Sequence, residues 1–461
     1  MATVHLPLVD QASSLGKDGR RHTVHPADVR GRFDRARKVA FALLIGIWAA
    51  LPWVPIGGHP AVFLDIDARA FYLFGASFGA EDVWLVFFLA TGFGFGLVYA
   101  TAALGRAWCG WACPQTVFLE GVYRKIERFV EGPRERRVRN AAAPWTLGKI
   151  VRRTTTHALY LAASLVIAHI VLSYFVSLPR AFAMVRHAPA VHPEAFAWVM
   201  AVTALLYGNF GWFREQFCVV MCPYGRLQSV LLDDDSLVVG YDVARGEPRG
   251  KASAKAKGDA GDCVDCKRCV VVCPTGIDIR NGLQMDCVAC TACIDACDDV
   301  MDKLGRSRGL IRYDSQNGLA GKKRRFVRPR IILYTALLSL GIAASSLAAM
   351  KRTTYEATLL RLPGEPYALD GDAIRNSFDL HVVNKQGGRE TFHVSVDAGR
   401  DTTTIAPITT IVVAGHGAAH LPIFVTMPRD RFISDFPVRV SVSRDGGESS
   451  VKSAVFLGAR R

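Results

Sequence analysis

The apolar residues of this chain are grouped into long blocks rather than spread evenly. Five nearly charge-free runs, each 18 to 22 residues long, stand out from a mixed sequence. A helix of about 20 apolar residues spans the hydrocarbon core of a bilayer. One such run could be a buried core helix, but five runs flanked by basic and aromatic residues predict five transmembrane helices. The runs are Val39–Ile56, Val83–Leu104, Ala158–Leu178, Ala195–Trp212 and Ile331–Met350.

The pattern changes after the last of these runs. Segments such as FDLHVVNK, TFHVSVDAG and FPVRVSVSR alternate apolar with polar residues and are separated by Gly, Pro and Asp. Alternation with a period of two is typical of strands with one buried face, and turns at such intervals are typical of a sandwich. The pattern therefore predicts a small β-sandwich over residues 355–461. This segment contains no cysteine that could form a disulfide.

The positions of the basic residues along the chain are more informative than the formal charge of +15 itself. Such a charge first suggests nucleic acid, but the basic residues lie between the apolar runs. Segments 1–38, 105–157 and 213–330 carry eight, eleven and twenty Lys or Arg residues, whereas loops 57–82 and 179–194 carry one and two. This is the positive-inside pattern of a multi-pass membrane protein. It predicts a cytoplasmic N-terminus, an external sandwich and no nucleic-acid binding.

Eight of the twelve cysteines lie within residues 263–297, in a segment predicted to be cytoplasmic. Thiols stay reduced in that compartment, so clustered cysteines indicate metal ligation rather than disulfides. The segment contains CxxCxxCxxxC twice, which is the spacing of bacterial two-cluster ferredoxins, where the fourth cysteine of each run ligates the other cluster. Two zinc sites are the alternative. An eight-cysteine repeat without histidine favours two 4Fe–4S clusters.

The cysteine runs predict a ligand set for each cluster. The sets are Cys263, Cys266, Cys269 and Cys297 for one cluster, and Cys287, Cys290, Cys293 and Cys273 for the other. The sequence departs from the ferredoxin pattern at Asp298, where a second proline is usual. That departure removes no ligand.

The other four cysteines form two CxxxCP motifs, one after the second apolar run and one after the fourth. They are Cys109 with Cys113 and Cys218 with Cys222, and the second pair follows the first by 109 residues, which indicates a duplication. Cysteines four apart on a helix share one face, and the next residue, Pro114 or Pro223, would end or kink that helix. The four are candidate ligands of a soft metal at the cytoplasmic membrane face. Thiolates suit Cu(I), zinc or an iron–sulfur centre, whereas buried cysteines can also act only as small apolar residues.

Three further residues are weaker candidates. Met221 adds a thioether beside the second motif, although a methionine next to a span is more often packing. His169 lies in the middle of the third apolar run and His157 near its inner end. An ionisable group inside a membrane is a functional candidate, and a neutral histidine hydrogen-bonded between helices is the alternative.

Several long motifs carry a resemblance to a known family. They are LDIDARAFYLFG (64–75), CGWACPQTVF (109–118), WFREQFCVVMCPYGRLQ (212–228), YDVARGEPRG (241–250) and the double cysteine run. In these motifs the chain resembles the CcoG/FixG/RdxA accessory proteins of cbb-type cytochrome c oxidase, over nearly its whole length. NSFDLHVVNK (376–385) is similar to the C-terminal Ig-like domain of that family. The membrane part is also similar to quinol-dehydrogenase subunits that share CxxxCP.

The resemblance implies a cupric reductase of the bacterial inner membrane, with its Ig-like domain in the periplasm, that converts Cu(II) to Cu(I) for assembly of the oxidase. It implies as partners copper ions, a copper chaperone or exporter, oxidase subunits, a cytoplasmic electron donor and the lipid membrane. The spacing agrees, because iron–sulfur clusters deliver single electrons and thiolates retain Cu(I). Our hypothesis is that electrons pass from the ferredoxin module to copper at the candidate catalytic residues Cys109, Cys113, Cys218 and Cys222. A quinol-linked electron conduit and a non-enzymatic assembly scaffold or redox sensor stay open as alternatives.

The predicted fold class is a multidomain membrane protein. An α-helical bundle of five transmembrane helices carries a cytoplasmic bacterial-type ferredoxin module and a C-terminal Ig-like β-sandwich. The predicted parts are an N-terminal tail 1–38, a four-helix membrane domain 39–230, a linker 231–258, a ferredoxin domain 259–320, a fifth transmembrane helix 331–350 and an Ig-like domain 355–461.

Overall fold

Helices dominate the chain up to residue 350 and strands dominate after it. The structure, a computed structural model, describes residues 23–66, 69–79, 82–250, 260–399, 402–406 and 408–458. The α-helices are α1 (Arg32–Ala50), α2 (Val83–Leu104), α3 (Ala107–Trp111), α4 (Pro114–Phe118), α5 (Arg124–Glu131), α6 (Arg134–Ala142), α7 (Leu147–Leu172), α8 (Leu178–Arg186), α9 (Pro193–Tyr207), α10 (Pro223–Leu231), α11 (Val243–Gly246), α12 (Arg268–Val271), α13 (Ala292–Lys303), α14 (Gln316–Leu319) and α15 (Pro329–Met350). π-Helical turns occupy Leu119–Tyr123, Gly208–Phe213 and Phe217–Met221.

The strands fall into an early group and a late group, with one pair between them. They are β1 (Pro55–Ile56), β2 (His59–Pro60), β3 (Val62–Asp65), β4 (Ala70–Leu73), β5 (Ala76–Phe78), β6 (Val238–Tyr241), β7 (Ile311–Asp314), β8 (Tyr355–Arg361), β9 (Ala368–Asp370), β10 (Ala373–Asn384), β11 (Glu390–Asp397), β12 (Thr403–Ile405), β13 (Thr410–Val413), β14 (Ala418–Pro428), β15 (Phe436–Arg444) and β16 (Ser449–Phe456). The chain divides into two compact units, residues 1–54 with 88–344 and residues 55–87 with 345–461.

Four of the described helices are long and apolar enough to cross a membrane. They are α2, α7, α15, and α9 together with the π-helical turn that follows it. They correspond to four of the five predicted spans, and the chain is a membrane protein. The first predicted span differs, because α1 begins at Arg32 among charged residues and ends at Ala50. Pro52 and Pro55 follow that end and cannot continue a helix, so the apolar part of α1 is only Val39–Ala50.

The membrane-side core of the first unit lies between α7, α9 and the segment 114–131. Tyr123, Tyr160 and Phe210 are buried there together. Segment 114–131 forms α4, a π-helical turn and α5 in succession. Its Arg124 and Glu127 are 6% and 5% exposed, while its Phe129 is 86% exposed.

The ferredoxin module of the first unit is built on one strand pair and two helices. β6 pairs with β7 in antiparallel register, with Val238 opposite Asp314 and Tyr241 opposite Ile311. The predicted linker 231–258 therefore contains a strand of the module, and its residues 251–258 lie outside the described residues. The backbone N–H groups of Phe33 and Asp34 donate to the Asp295 carboxylate at 3.3 and 2.7 Å. This cap attaches the start of α1 to α13, so part of the predicted N-terminal tail is ordered structure.

The second unit contains the predicted β-sandwich. One sheet has the order β12-β14-β10-β8, with β9 also paired to β10, and the other has the order β13-β11-β15-β16. Their facing residues alternate with exposed ones along each strand, which is the pattern of two sheets sharing one core. Phe378, Phe392 and Phe456 are fully buried between the sheets. The prediction of a C-terminal sandwich is confirmed.

Candidate metal centres

The eight ferredoxin cysteines surround two small cavities. One, with an empty volume of about 350 Å³, is lined by Cys263, Cys266, Cys269 and Cys297. The other, of about 330 Å³, is lined by Cys273, Cys287, Cys290 and Cys293, and Cys269 also touches it. Each cavity thus receives three cysteines from one run and a fourth from the other run. Four converging sulfurs around an enclosed space suit a 4Fe–4S cube, which is bound by four thiolates.

The backbone of the two cysteine runs repeats the same local conformation. Asp265 and Lys267 in the first run have φ of 53° and 57°, and Ala289 and Thr291 at the equivalent places in the second have φ of 51° and 66°. Non-glycine residues rarely adopt this left-handed conformation, and it persists only where surrounding structure requires it. Here it turns the chain so that three cysteines of one loop point at one cavity.

The fourth cysteine of each run sits differently. Pro274 follows Cys273 just after the short helix α12 ends. Asp298 follows Cys297 inside α13, which continues to Lys303. Because no proline interrupts the helix here, the Asp298 side chain can accept a hydrogen bond from the Gly309 N–H at 3.0 Å. The sequence departure at Asp298 therefore extends a helix and leaves Cys297 at its cavity.

Burial disfavours the thiolate form of these cysteines and so raises their pKa values. It raises the pKa of Cys287 to about 11 and those of Cys269, Cys290 and Cys297 to about 12. A thiol with such a pKa is protonated at neutral pH, whereas a metal ligand must be a thiolate. Positive iron at the cavity would supply the missing stabilisation, so this donor set fits an iron–sulfur cluster.

The two CxxxCP motifs break at the same point. Cys113 and Cys222 are the N-cap residues of α4 and α10, and Pro114 and Pro223 occupy the first helical position. Proline is favoured there because its ring fixes φ and the first N–H needs no partner. The prolines therefore do end the preceding helical turn. The expected continuous helix carrying both cysteines of a pair is not formed, because Cys113 and Cys222 have extended backbone.

The four CxxxCP cysteines form one electrostatic group. Burial, and after it the neighbouring cysteines, raise the pKa of Cys109 to about 11 and that of Cys218 to about 12. The cysteines that act on Cys218 are Cys113, Cys109 and Cys222. Over the described ranges, no three His, Cys, Asp or Glu side chains are arranged to hold a single metal ion.

Gln228 joins the two motifs. Its amide nitrogen lies 3.3 Å and its amide oxygen 3.4 Å from the Cys109 sulfur. It is fully buried in α10, the helix that begins after Cys222. Sequence reasoning missed this residue, because the duplication places Leu119 at the equivalent position of the first motif.

The first CxxxCP motif packs directly against the second cysteine loop of the ferredoxin module. A Cβ added to Gly110 would lie 2.6 Å from the Ala289 carbonyl oxygen and 2.7 Å from that of Val288. Only glycine permits so close an approach. The Trp111 indole donates to the Tyr313 hydroxyl at 3.1 Å, and that hydroxyl donates to the Ala289 carbonyl at 2.9 Å. The loop that carries Cys287 and Cys290 therefore packs against the loop that carries Cys109 and Cys113.

Two arginines before the motifs have structural partners. The Arg106 guanidinium donates to the carbonyls of Met285 and Cys287 and, at 3.2 Å, to that of Gly225 in α10. The Arg214 guanidinium pairs with Glu127 at 2.5 Å. Arg106 thus ties both motifs to the ferredoxin loop.

The weaker candidates are not drawn into this arrangement. Met221 is 61% exposed. His169 Nδ1 hydrogen-bonds the Leu165 carbonyl of its own helix at 2.8 Å. His157 does bridge helices, since its Nδ1 lies 2.9 Å from the Tyr207 hydroxyl.

Comparisons with known proteins match this architecture over almost its whole length. Nitrogen fixation protein FixG of Rhizobium meliloti (strain 1021) is 34% identical over 466 residues, which cover 90% of this chain and 88% of the relative. Protein RdxA of Cereibacter sphaeroides is 34% identical and covers 95% of this chain and 98% of its own. Protein RdxB of the same organism is 36% identical, with 85% coverage of each chain.

This chain belongs to the FixG/RdxA family. The domain models agree with that assignment. A model described as "4Fe-4S dicluster domain" matches residues 213–316, and one described as "IG-like fold at C-terminal of FixG" matches residues 346–459. A third, described as "4Fe-4S binding domain", matches residues 85–133 and 192–233. This FixG/RdxA-family protein is an iron–sulfur electron-transfer protein.

Proposed function

We propose that this protein is a cupric reductase that converts Cu(II) to Cu(I), with Cys109, Cys113, Cys218 and Cys222 as the place where copper is reduced. The observation that carries the proposal is the packing of Gly110 against Val288 and Ala289. This packing places the first CxxxCP loop in contact with the second cysteine loop of the ferredoxin module, whose cysteines are proposed cluster ligands. A redox centre and a soft-ligand group in contact form a short route for an electron.

The chemistry of the residues suits this reaction. A bound 4Fe–4S cluster supplies electrons one at a time, and Cu(II) needs one electron to become Cu(I). The electron is lost by the ferredoxin module and gained by copper, and the CxxxCP thiols release their protons to solvent when they bind the metal as thiolates. Sulfur ligands favour the soft Cu(I) product over Cu(II). Gln228, which follows the second motif, hydrogen-bonds the sulfur of Cys109 in the first motif and so fixes the position of that proposed ligand.

The proposed ligand sets follow the two cavities. Cys263, Cys266, Cys269 and Cys297 would hold the first cluster, and Cys273, Cys287, Cys290 and Cys293 the second. We place the ferredoxin module in the cytoplasm and the sandwich in the periplasm, because positive charge concentrates on the former side. Cu(I) would pass to a copper chaperone or exporter and then to a cbb-type oxidase, and a cytoplasmic donor would supply electrons.

The test is the quadruple variant in which Cys109, Cys113, Cys218 and Cys222 are changed to serine. Both proteins are purified anaerobically, reduced, and given Cu(II) with a Cu(I)-specific chelator whose colour reports the product. We expect the variant to keep about eight irons, four for each cluster, and to lose Cu(II) reduction. Normal reduction by the variant would refute the assignment of these cysteines.

A second candidate for the four cysteines is a further iron–sulfur cluster. It is favoured by the domain model described as "4Fe-4S binding domain", whose matches at 85–133 and 192–233 include both CxxxCP motifs. The same variant separates the two. A further cluster predicts about four irons fewer than in the unmodified protein, whereas a copper-reducing group predicts equal iron and lost copper binding.

A further inference from the structure

A large cavity on the first unit lies apart from the metal centres. It is enclosed by α5, α6, the start of α7 and the turn after α9, and its empty volume is about 1550 Å³. Here it is named the basic cavity. Its cationic lining residues are Arg137, Lys149, Arg152, Arg153 and Arg214, and its carboxylates are Glu127 and Glu131.

The positive charges of the basic cavity are only partly neutralised. Glu127 pairs with Arg214 at 2.5 Å and with Arg137 at 3.1 Å. Within the part of the chain that the structure describes, Lys149, Arg152 and Arg153 have no carboxylate partner. Three uncompensated cations that line one concave site create a strong attraction for an anion.

Three nitrogen atoms of residues that line the cavity are buried without a hydrogen-bond partner among the described residues. They are Nε of Arg137, Nε of Arg214 and Nδ1 of His25. Arg137 is only 4% exposed, and its other two guanidinium nitrogens already donate to Glu127 and to the Pro26 carbonyl. Buried polar groups are nearly always hydrogen-bonded. A basic face that only marks topology would explain the charge but not the two guanidinium N–H groups without an acceptor, whereas a ligand with several acceptor oxygens explains both.

The basic cavity lies at the depth where membrane lipids carry their headgroups. Lys149, Arg152 and Arg153 are in the first two turns of α7, a candidate span. Trp145, just before α7, is 66% exposed, and the Lys149 ammonium lies 5.0 Å from its ring centroid. Trp212 lines the cavity at the end of another span and is 67% exposed. Exposed tryptophans at span ends are typical of the membrane–water boundary.

We propose that the basic cavity binds the phosphate of an anionic phospholipid, held by Lys149, Arg152 and Arg153. Arginine and phosphate pair through two parallel hydrogen bonds, which makes arginine a preferred phosphate ligand. Basic pockets between span ends recognise lipid headgroups in this way. A zwitterionic lipid carries its own ammonium group and gains less from these cations. The chemistry is that of a phosphate ester, which a soluble phosphate could share, so the test separates the two sources.

The experiment uses the full-length protein in nanodiscs of phosphatidylcholine alone or with a titrated fraction of phosphatidylglycerol. Native mass spectrometry counts the phosphatidylglycerol that stays bound and gives its apparent affinity. The cavity variant is Lys149→Gln/Arg152→Gln/Arg153→Gln. The control, Lys322→Gln/Lys323→Gln/Arg330→Gln, removes the same charge before and at the start of α15. In pure phosphatidylcholine both variants are checked for iron content and unfolding temperature equal to the unmodified protein.

A cation near an anionic membrane surface contributes about 1 kcal/mol, which is about fivefold in affinity. We therefore expect a loss on the order of 100-fold in the cavity variant and little change in the control. Retained binding in the cavity variant, or an equal loss in both variants, would overturn the proposal. If inorganic phosphate at millimolar concentration displaces phosphatidylglycerol, the ligand is a soluble phosphate and the lipid assignment is wrong. If the triple variant does not fold, the single change Arg152→Gln should still show the fivefold loss.

Discussion

Replacing Gly110 by alanine tests the contact on which the electron route depends. The added methyl group would lie 2.6 and 2.7 Å from the carbonyl oxygens of Ala289 and Val288. A carbon and a carbonyl oxygen normally approach to about 3.3 Å, so the two loops must separate by roughly 0.7 Å. Forcing a methyl group into a filled space costs about 1 to 3 kcal/mol, which a folded protein can tolerate.

Gly110→Ala should slow Cu(II) reduction without removing a cluster. The electron crosses between two centres that share no bond, so a wider gap lowers the rate of transfer, and we expect Cu(II) reduction to fall severalfold. Both cluster signals in electron paramagnetic resonance should persist, because no ligand is removed. The matched control is Gly94→Ala in α2, where an added Cβ meets nothing within 4 Å.

The decisive measurement is the rate of Cu(I) formation after the clusters have been reduced chemically. If Gly110→Ala and Gly94→Ala both reduce Cu(II) as fast as the unmodified protein, electrons do not cross at this contact. If Gly110→Ala loses iron, the loop is a structural support of the cluster site and the rate carries no information about transfer. In that case a second variant, Ala289→Gly on the opposite loop, is used in place of Gly110→Ala. It removes a methyl group instead of adding one, and it should leave the rate of Cu(II) reduction intact.

Three other changes follow from the described contacts. Cys273→Ser should abolish the signal of the cluster that Cys287 and Cys290 bind while the other cluster persists, and a loss of the cluster bound by Cys263 instead would contradict the crossed ligand sets. Glu127→Gln leaves buried guanidinium charge unpaired and should lower the free energy of unfolding by about 3 to 5 kcal/mol in chemical denaturation; a change below 1 kcal/mol would show that the network is solvated. Asp82→Asn, at a carboxylate that is fully buried and paired with cations of the second unit, should lower the unfolding temperature of that unit.

The centre of the ferredoxin module was largely predictable, because the spacing of eight cysteines follows from the shape of the clusters they bind. The local backbone was not. Left-handed conformations at Asp265, Lys267, Ala289 and Thr291 leave no signal in the sequence, since none of these residues is a glycine. They are imposed by the convergence of three cysteines on one cavity, which is a tertiary requirement.

The CxxxCP motifs show where sequence periodicity stops being informative. The spacing predicted two cysteines on one helical face, and the prolines correctly indicated an interruption. The prolines start new helices, however, so Cys113 and Cys222 leave the helical path. The contact of Gly110 with the ferredoxin loop joins segments remote in sequence, and no local propensity indicates it.

The buried charges of segment 114–131 could not be predicted from that segment alone. Arg124 pairs with Glu215 at 3.0 Å, and both side chains are buried. Opposite charges from two distant segments can cancel inside a protein, and a single segment read alone does not reveal its partner.

The packing of Gly110 on the ferredoxin loop also sets an order of biosynthesis. Arg106 and its partner Met285 are separated by 179 residues along the chain. At ribosomal rates of about 5 to 20 residues per second, the first motif emerges roughly 10 to 35 seconds before the loop that completes it. We expect the early helices to enter the membrane with their thiols uncovered, waiting for the later segment and its iron. Iron supply to the cell would then decide how long these thiols stay exposed during synthesis.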